Sequence, residues 1–135
     1  MNIKDLLIKH EGMALYPYID SVGKTTIGIG RNIDDNGISE QEALFMLEND
    51  LRRVRLELEG YPWYQGLSEV RQNALLDMCF NLGITRFRGF RKMIHALEIG
   101  DFIAASIEML DSRWSQQVGR RATELSMMIR EDKYQ

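Results

Sequence analysis

The chain has 135 residues, 44% of them apolar, and a formal net charge of −3. This length and apolar content suit one domain with a continuous core and argue against a second independent domain. The acidic balance argues against broad nucleic-acid binding, and no apolar stretch approaches the roughly 18 residues that suggest a membrane span.

Side chains that bind metals or form disulfides are scarce. Cys79 is the single cysteine, so no disulfide can form within the chain. It stands in an apolar run and is predicted to be buried as a small hydrophobe. His10 and His95 fall inside helical patterns, where a packed or half-exposed histidine is expected. The sequence therefore predicts no metal site and no cofactor.

The first predicted element is a short helix that ends at a carboxylate. Asn2 is expected to cap it, and apolar residues follow at helical spacing. Gly12 predicts the end of the helix and so places Glu11 at its C-terminus. The negative end of the helix dipole raises the energy of a carboxylate there, which favours the protonated acid.

A β-hairpin is predicted over residues 15–30. Two runs rich in aromatic and β-branched residues are separated by a polar turn at 20–24. Pro17 restricts the first strand to an edge of the sheet, because proline cannot donate to a neighbouring strand. Gly28 and Gly30 indicate that another group approaches the backbone closely there.

A long helix is predicted after a polar loop at 31–37. Ser39 and Glu42 have the spacing of a capping box, which predicts that the helix begins there. One apolar stripe then continues until Gly60 and Pro62 end it. This helix is expected to connect a small lobe to the rest of the chain.

Shorter helices are predicted in the remainder of the chain. They are a helix capped by Ser68 and closed by Gly83, one over 90–99, one capped by Asp101 and one over 119–130. The predicted architecture is α+β, with a cleft between two lobes. The predicted parts of this single domain are a small hairpin lobe at about 12–38, a connecting helix at about 39–59, and a mainly helical lobe at about 60–135 plus the N-terminal helix 1–11.

Glu11 and Asp20 are the candidate pair for acid–base chemistry. Cleavage of an acetal needs a proton donor for the leaving oxygen and a second carboxylate that attacks the sugar or activates water. Glu11, at a helix end, is placed to stay protonated, whereas Asp20, in a polar turn, is placed to stay ionised. Thr26, in the opposing strand, is placed to orient a water molecule. Taken alone, these positions also fit a solvated glutamate and a turn-forming aspartate without catalytic function.

A spaced signature and a collinear set of further segments carry a family resemblance. The segment 10–30 contains Glu11, Asp20 and Thr26 at the spacing of this signature, followed by the alternating glycines Gly28 and Gly30. The further segments are Met1-Asn2-Ile3, Ile38-Ser39, Glu42-Ala43, Met78, Phe80-Asn81-Leu82-Gly83, Gly89-Phe90, Ser112-Arg113-Trp114 and Arg121-Ala122. Over nearly its whole length the sequence resembles the phage-type lysozymes of glycoside hydrolase family 24. This resemblance implies a lysozyme-like fold and a hydrolase of bacterial peptidoglycan.

The resemblance also implies the role of each signature residue. Glu11 would be the general acid on the β-1,4 bond between N-acetylmuramic acid and N-acetylglucosamine. Asp20 would be the general base, and Thr26 would hold the attacking water. The family works with inversion, which requires the two carboxyl groups to stand about 6.5–9.5 Å apart.

Substrate-binding residues follow from the same resemblance. Gly30 would offer backbone groups to the sugar, and Phe80 and Asn81 would lie on the cleft wall. Arg121 would pair with the catalytic glutamate across the cleft. Arg31 and Arg113 complete the set of predicted substrate-binding residues.

Two departures from the family pattern carry predictions. Arg31 stands where members often carry a histidine, and we expect it to form a lobe-bridging pair with Asp50, with a charge that persists at every ordinary pH. The stretch between Arg31 and Ile38 is shorter than in the T-even phage member. The small lobe is therefore expected to lack a helix and part of one cleft wall.

Three other functions are compatible with parts of the sequence. The stretch 85–92 interleaves cations with Phe87 and Phe90, as in proteins that bind single-stranded nucleic acid or an anionic wall polymer. We expect the two phenylalanines to anchor this loop in the core instead. A lytic transglycosylase needs no water-activating base, so Asp20 and Thr26 disfavour it. A non-catalytic glycan-binding module would not need all three signature residues.

The partner and location follow from these expectations. The N-terminus lacks the apolar stretch of a signal peptide. We therefore expect synthesis in a host cytoplasm and pore-assisted release to peptidoglycan in the periplasm or cell wall. The expected partner is the peptidoglycan glycan strand, with no nucleic acid, no stable membrane insertion and a monomeric state.

Overall fold

The computed structural model describes residues 1–135 and confirms the α+β architecture. The helices are α1 (Ile3–Glu11), α2 (Ile33–Asn36), α3 (Glu40–Glu59), α4 (Glu69–Leu82), α5 (Ile84–Arg88), α6 (Arg91–Glu98), α7 (Phe102–Leu110), α8 (Arg113–Val118) and α9 (Arg120–Glu131). The strands are β1 (Ala14–Ile19), β2 (Thr25–Gly28) and β3 (Arg31–Asn32), and a short 3₁₀ helix covers Tyr64–Gly66. None of the helices has the length and apolar character needed to cross a membrane.

The chain divides into two compact units, Met1–Met46 and Leu47–Gln135. The first unit contains α1, α2 and the sheet, and the second contains α4 to α9. Helix α3 begins in the first unit and ends in the second. The assignment of all 135 residues to a single domain stays a prediction.

Helix α1 begins and ends where the sequence predicted. The Asn2 side chain accepts a hydrogen bond from the backbone N–H of Asp5 at 2.9 Å, which satisfies one of the free donors of the first turn. Gly12 follows the last helical residue with φ +77°, a conformation that glycine adopts without strain. Glu11 is therefore the final residue of the helix.

The capping box at the start of α3 is also confirmed. The Ser39 hydroxyl accepts from the backbone N–H of Glu42 at 3.1 Å, and the Glu42 carboxylate accepts from the backbone N–H of Ser39 at 2.8 Å. Farther along the helix, Val54 and Leu58 of the predicted apolar stripe are buried. The helix ends at Glu59, immediately before Gly60.

The sheet is antiparallel with the strand order β1-β2-β3, so the prediction that the Pro17 strand lies at an edge is correct. The register pairs Tyr18 with Thr26 and Ile19 with Thr25, with an irregularity between Ala14 and Tyr18. Because Ile19 and Thr25 are paired, the intervening residues must close a tight turn. This turn carries Asp20.

The segment 31–37 was predicted to be a polar loop, and that prediction is wrong. It forms strand β3 and the one-turn helix α2, so the small unit does not lack a helix. Asn32 caps this helix, because its side-chain oxygen accepts from the backbone N–H of Asp35 at 3.1 Å. Gly37 ends it with φ +58°. The signal available in the sequence was Asn32, followed three residues later by Asp35 and five residues later by Gly37.

The core of the second unit surrounds α4, which begins after its Ser68 cap and ends before Gly83, as predicted. The largest fully buried side chains include Phe87, Leu58, Leu75, Met78, Met93, Leu97, Met109 and Ile129. Full burial of one such side chain contributes roughly 1.5–3 kcal/mol. Helices α6, α7 and α9 confirm the remaining predicted helices, whereas α5, α8 and the 3₁₀ helix were not predicted.

Cys79 is buried in this core, as predicted, and burial raises the pKa of its thiol to about 11. The prediction that Phe87 and Phe90 anchor the stretch 85–92 in the core is confirmed as well. Phe87 is fully buried, and Phe90 packs edge-on against Trp114 with ring centroids 6.3 Å apart. The cations of this stretch are exposed. His10 and His95 are both exposed on their helices.

Candidate active site

The Asp20 carboxylate is fixed by its own turn. One of its oxygens, Oδ1, accepts hydrogen bonds from the backbone N–H groups of Val22 and Lys24, each at 2.9 Å. The backbone of Asp20 closes the same turn by donating to the Lys24 carbonyl at 2.9 Å. The hydrogen bond from the N–H of Lys24 holds the pKa of Asp20 below its ordinary value of 3.8; partial burial opposes this, and the N–H of Val22 acts with that of Lys24. Asp20 is therefore placed to stay ionised.

The second Asp20 oxygen, Oδ2, faces Thr26. Thr26 is buried, at 3% exposure, and its Oγ1 lies 3.5 Å from Asp20 Oδ2. The Thr26 hydroxyl has a nearer acceptor in the Lys24 carbonyl, at 3.1 Å. Its single proton is therefore directed to Lys24, which leaves lone pairs of Oγ1 beside the free carboxylate oxygen. This pairing follows from the hairpin register, in which Thr26 lies opposite Tyr18, two residues before Asp20.

Helix α2 holds the strand that carries Thr26. The Asp34 carboxylate accepts from the backbone N–H of Thr25 at 2.7 Å, and Lys24 Nζ lies 3.1 Å from Asp35 Oδ1. These bonds fix both residues that precede Thr26. Sequence reasoning missed this support, because it treated the segment as a loop.

The Glu11 carboxyl group lies against the backbone of Gly30. The sequence predicted close approaches at Gly28 and Gly30; the second is confirmed, and the approaching group is Glu11 itself. At Gly28 no atom lies within 4 Å of the position that a side chain would occupy. The first unit thus brings Glu11 together with Gly30, and Asp20 together with Thr26.

Arg31 and Asp50, which were predicted to pair, each have a partner within their own unit. Arg31 Nη1 instead lies 2.6 Å from Oε1 of Glu42, and Asp50 Oδ1 lies 3.5 Å from Arg53 Nη1. The capping box explains why Arg31 binds Glu42, because it already directs the Glu42 carboxylate towards the start of α3. Arg31 and Glu42 also line a groove of about 730 Å³ in the first unit, together with Phe45.

Two predicted substrate-binding residues of the second unit share a groove. Phe80, which is 41% exposed, and Arg121 line a groove of about 310 Å³. Arg121 was expected to pair with Glu11, but its Nε donates to Asp77 Oδ1 at 2.7 Å. Asp77 lies one helical turn from Phe80 on α4, within reach of Arg121 on α9. It was missed as a functional candidate, although a carboxylate in an apolar run was a visible signal.

Asn81 and Arg113 lie near Trp114. The Trp114 indole N–H donates to Asn81 Oδ1 at 2.8 Å, which fixes the orientation of that amide. Arg113 lines a second groove of about 560 Å³ in this unit, and Phe90 and Lys92 line it as well.

No group of three or more His, Cys, Asp or Glu side chains has an arrangement that could hold a metal ion.

A comparison with protein families decides the assignment. The model of the family described as phage lysozyme matches residues 8–131, a range that includes Glu11, Asp20 and Thr26. The chain belongs to the phage lysozyme family. Membership of this family and similarity to T4-type lysozymes identify the chain as a lysozyme-type glycoside hydrolase.

Three relatives are similar to most of the chain. The pre-baseplate central spike protein Gp5 of Enterobacteria phage T4 is 29% identical over 96% of the chain, which spans 28% of that protein's length. Probable T4-type lysozyme 1 of Dictyostelium discoideum is 28% identical, covering 95% of the chain and 93% of the relative. Probable T4-type lysozyme 2 of the same organism is 27% identical, with coverages of 90% and 89%. The chain therefore spans about a quarter of one relative and nearly the whole length of the other two.

Proposed function

We propose that the chain hydrolyses the β-1,4 bond between N-acetylmuramic acid and N-acetylglucosamine in peptidoglycan, with inversion at the anomeric carbon. The observation that carries the proposal is that the two oxygens of the Asp20 carboxylate have different surroundings. One oxygen is held by two backbone N–H groups, and the other is free beside Thr26. Membership of the phage lysozyme family supports the class of substrate.

Asp20 acts as the general base in this proposal. A water molecule that donates one hydrogen to Asp20 Oδ2 and the other to Thr26 Oγ1 keeps a lone pair for the anomeric carbon. The two oxygens lie 3.5 Å apart, so one water can reach both. As the new C–O bond forms, Asp20 takes the proton that the water releases. The lowered pKa of Asp20 keeps this group ionised and ready to accept it.

Glu11 acts as the general acid. Its protonated carboxyl group gives a proton to the glycosidic oxygen as the bond from that oxygen to the anomeric carbon breaks. The products are a reducing muramic acid end and a glucosamine 4-hydroxyl group. Glu11 then regains a proton from solvent and Asp20 releases one, which returns both groups to their starting states.

Residues of the second unit bind the glycan strand. Phe80 offers an exposed ring face to a sugar, and Arg121, oriented by Asp77, offers guanidinium donors. Trp114 holds the Asn81 amide, whose N–H₂ group is left to donate. Release from a host cytoplasm through a pore and action as a monomer belong to the same proposal.

The test compares clearing of a peptidoglycan suspension by the wild type, Glu11→Gln and Asp20→Asn. Each substitution is expected to lower the rate by about 10²–10⁴-fold, because it removes a proton transfer. NMR spectra of fresh products should show the α-anomer first. Clearing by Glu11→Gln at the wild-type rate would remove Glu11 from the mechanism. Anhydromuramic ends would indicate a transglycosylase, and binding without clearing would indicate a non-catalytic module.

A further inference from the structure

Gly28 and Gly30 have similar backbone conformations but different surroundings. Their φ angles are +71° and +68°, in the left-handed region where an L side chain is disfavoured. A Cβ atom placed on Gly30 would lie 2.8 Å from Cδ and 3.1 Å from Cγ of Glu11. Carbon atoms normally approach to about 3.5–4.0 Å, so a methyl group there cannot coexist with Glu11 in its present position. A Cβ on Gly28 would meet nothing within 4 Å.

The Glu11 side chain has few other constraints within its unit. It makes no hydrogen bond or ion pair among residues 1–46, whose bonded carboxylates include Asp20, Asp34 and Glu42. Glutamate has several rotatable bonds, so packing is the interaction left within this unit to restrict the conformation of Glu11. The Gly30 backbone supplies such a packing surface at the carboxyl end.

We propose that Gly30 is a positioning residue for the general acid: the missing side chain at this position leaves the space that the Glu11 carboxyl group occupies. This inference rests on the proposed function of Glu11. Any side chain at position 30 would displace the carboxyl group from where it donates its proton. The role differs from binding the sugar through backbone groups, because it predicts a loss in the chemical step.

The first test is kinetic and uses Gly30→Ala with Gly28→Ala as its matched control. Displacement of a catalytic group by about 1 Å can cost 10²-fold in rate. On soluble glycan strands, Gly30→Ala should lower kcat by about 10–100-fold with KM changed less than about threefold. Gly28→Ala replaces a glycine of similar backbone conformation and should keep kcat within about twofold. Equal losses of kcat in the two variants, an unchanged kcat in Gly30→Ala, or a loss confined to KM would overturn the proposal.

The second test does not depend on activity. The drop in Tm caused by Gly30→Ala is measured in the wild-type background and in a Glu11→Ala background, where the obstructing carboxyl group is gone. The drop should become smaller in the second background and approach that of Gly28→Ala. A drop of the same size in both backgrounds would show that Glu11 and position 30 do not interact, and would overturn the proposal. If Glu11→Gln proved fully active, the proposed function would fail while this thermal cycle could still succeed.

Discussion

Arg31 and Glu42 join strand β3 to the first turn of α3 through a contact of 2.6 Å between Nη1 and Oε1. The same Glu42 oxygen accepts from the backbone N–H of Ser39 at 2.8 Å. A single carboxylate oxygen therefore serves both a helix cap and an ion pair. The pKa of Glu42 falls from 4.5 to about 2, chiefly through the hydrogen bond from Arg31 and then through that from Ser39.

This pair predicts how stability depends on pH. A carboxylate whose folded pKa is depressed contributes stability above its unfolded pKa and loses it as the pH falls through the folded value. The contribution of Glu42 should thus be complete above pH 4.5 and fade towards pH 2. Urea unfolding of the wild type and Glu42→Gln would measure it, since glutamine keeps an acceptor for the cap. The stability difference should shrink as the pH falls across this window, and a constant difference would contradict the prediction.

Asp20→Asn should separate catalysis from turn stability. Asparagine retains an oxygen that can accept from Val22 and Lys24 but lacks the charge needed in a base. We expect Tm to change by only a few degrees while hydrolysis falls by about 10²–10⁴-fold. Asp20→Ala should lose both properties, because the backbone N–H groups then have no side-chain acceptor. Equal thermal losses in the two variants would show that the charge, not the acceptor, holds the turn.

Two leucines of α3 provide a matched test of core packing. Leu58 is 0% exposed, whereas Leu56 is 65% exposed. Leu58→Ala should lower the free energy of unfolding by about 2–5 kcal/mol, because it leaves a cavity in the second unit. Leu56→Ala should change it by less than about 0.5 kcal/mol. Denaturant unfolding measures both; similar values would mean that Leu58 does not contribute through burial.

Arg71 is expected to stabilise the second unit in a way that lysine cannot replace. Its guanidinium carbon lies 3.6 Å from the ring centroid of Phe102, and its Nε donates to the Ile129 carbonyl at 2.7 Å. Arg71→Lys keeps the charge but loses the planar stack and its directed donor. The free energy of unfolding should fall by about 1–2 kcal/mol. Arg130→Lys, at an exposed position on α9, is the control and should have little effect.

The elements predicted correctly from the sequence are those with local start and stop signals. Asn2, Ser39, Ser68 and Asp101 each cap a predicted helix through a residue three positions later. Such bonds need no information from distant parts of the chain. The missed helix α8 has a comparable cap, Ser112, so this omission reflects a signal that was present but not used.

The partners that two arginines have within their own units were not foreseen from the sequence. Arg31 and Arg121 were assigned to Asp50 and Glu11, yet they bind Glu42 and an aspartate of α4. A long side chain on the surface can reach several carboxylates of similar energy, and the choice depends on tertiary geometry. By contrast, Asp20 and Thr26 were predicted correctly to lie in one hairpin, because strand pairing follows from local sequence. Their catalytic roles, like that of Glu11, stay predictions.

The buried thiol of Cys79 makes the helical unit observable by chemistry. With its pKa raised to about 11 and its side chain 1% exposed, it offers almost no thiolate to a reagent in neutral solution. Labelling by a thiol reagent therefore requires opening of the second unit, whereas opening of the first unit leaves no mark. The rate of labelling would thus measure the opening of the second unit separately from that of the first.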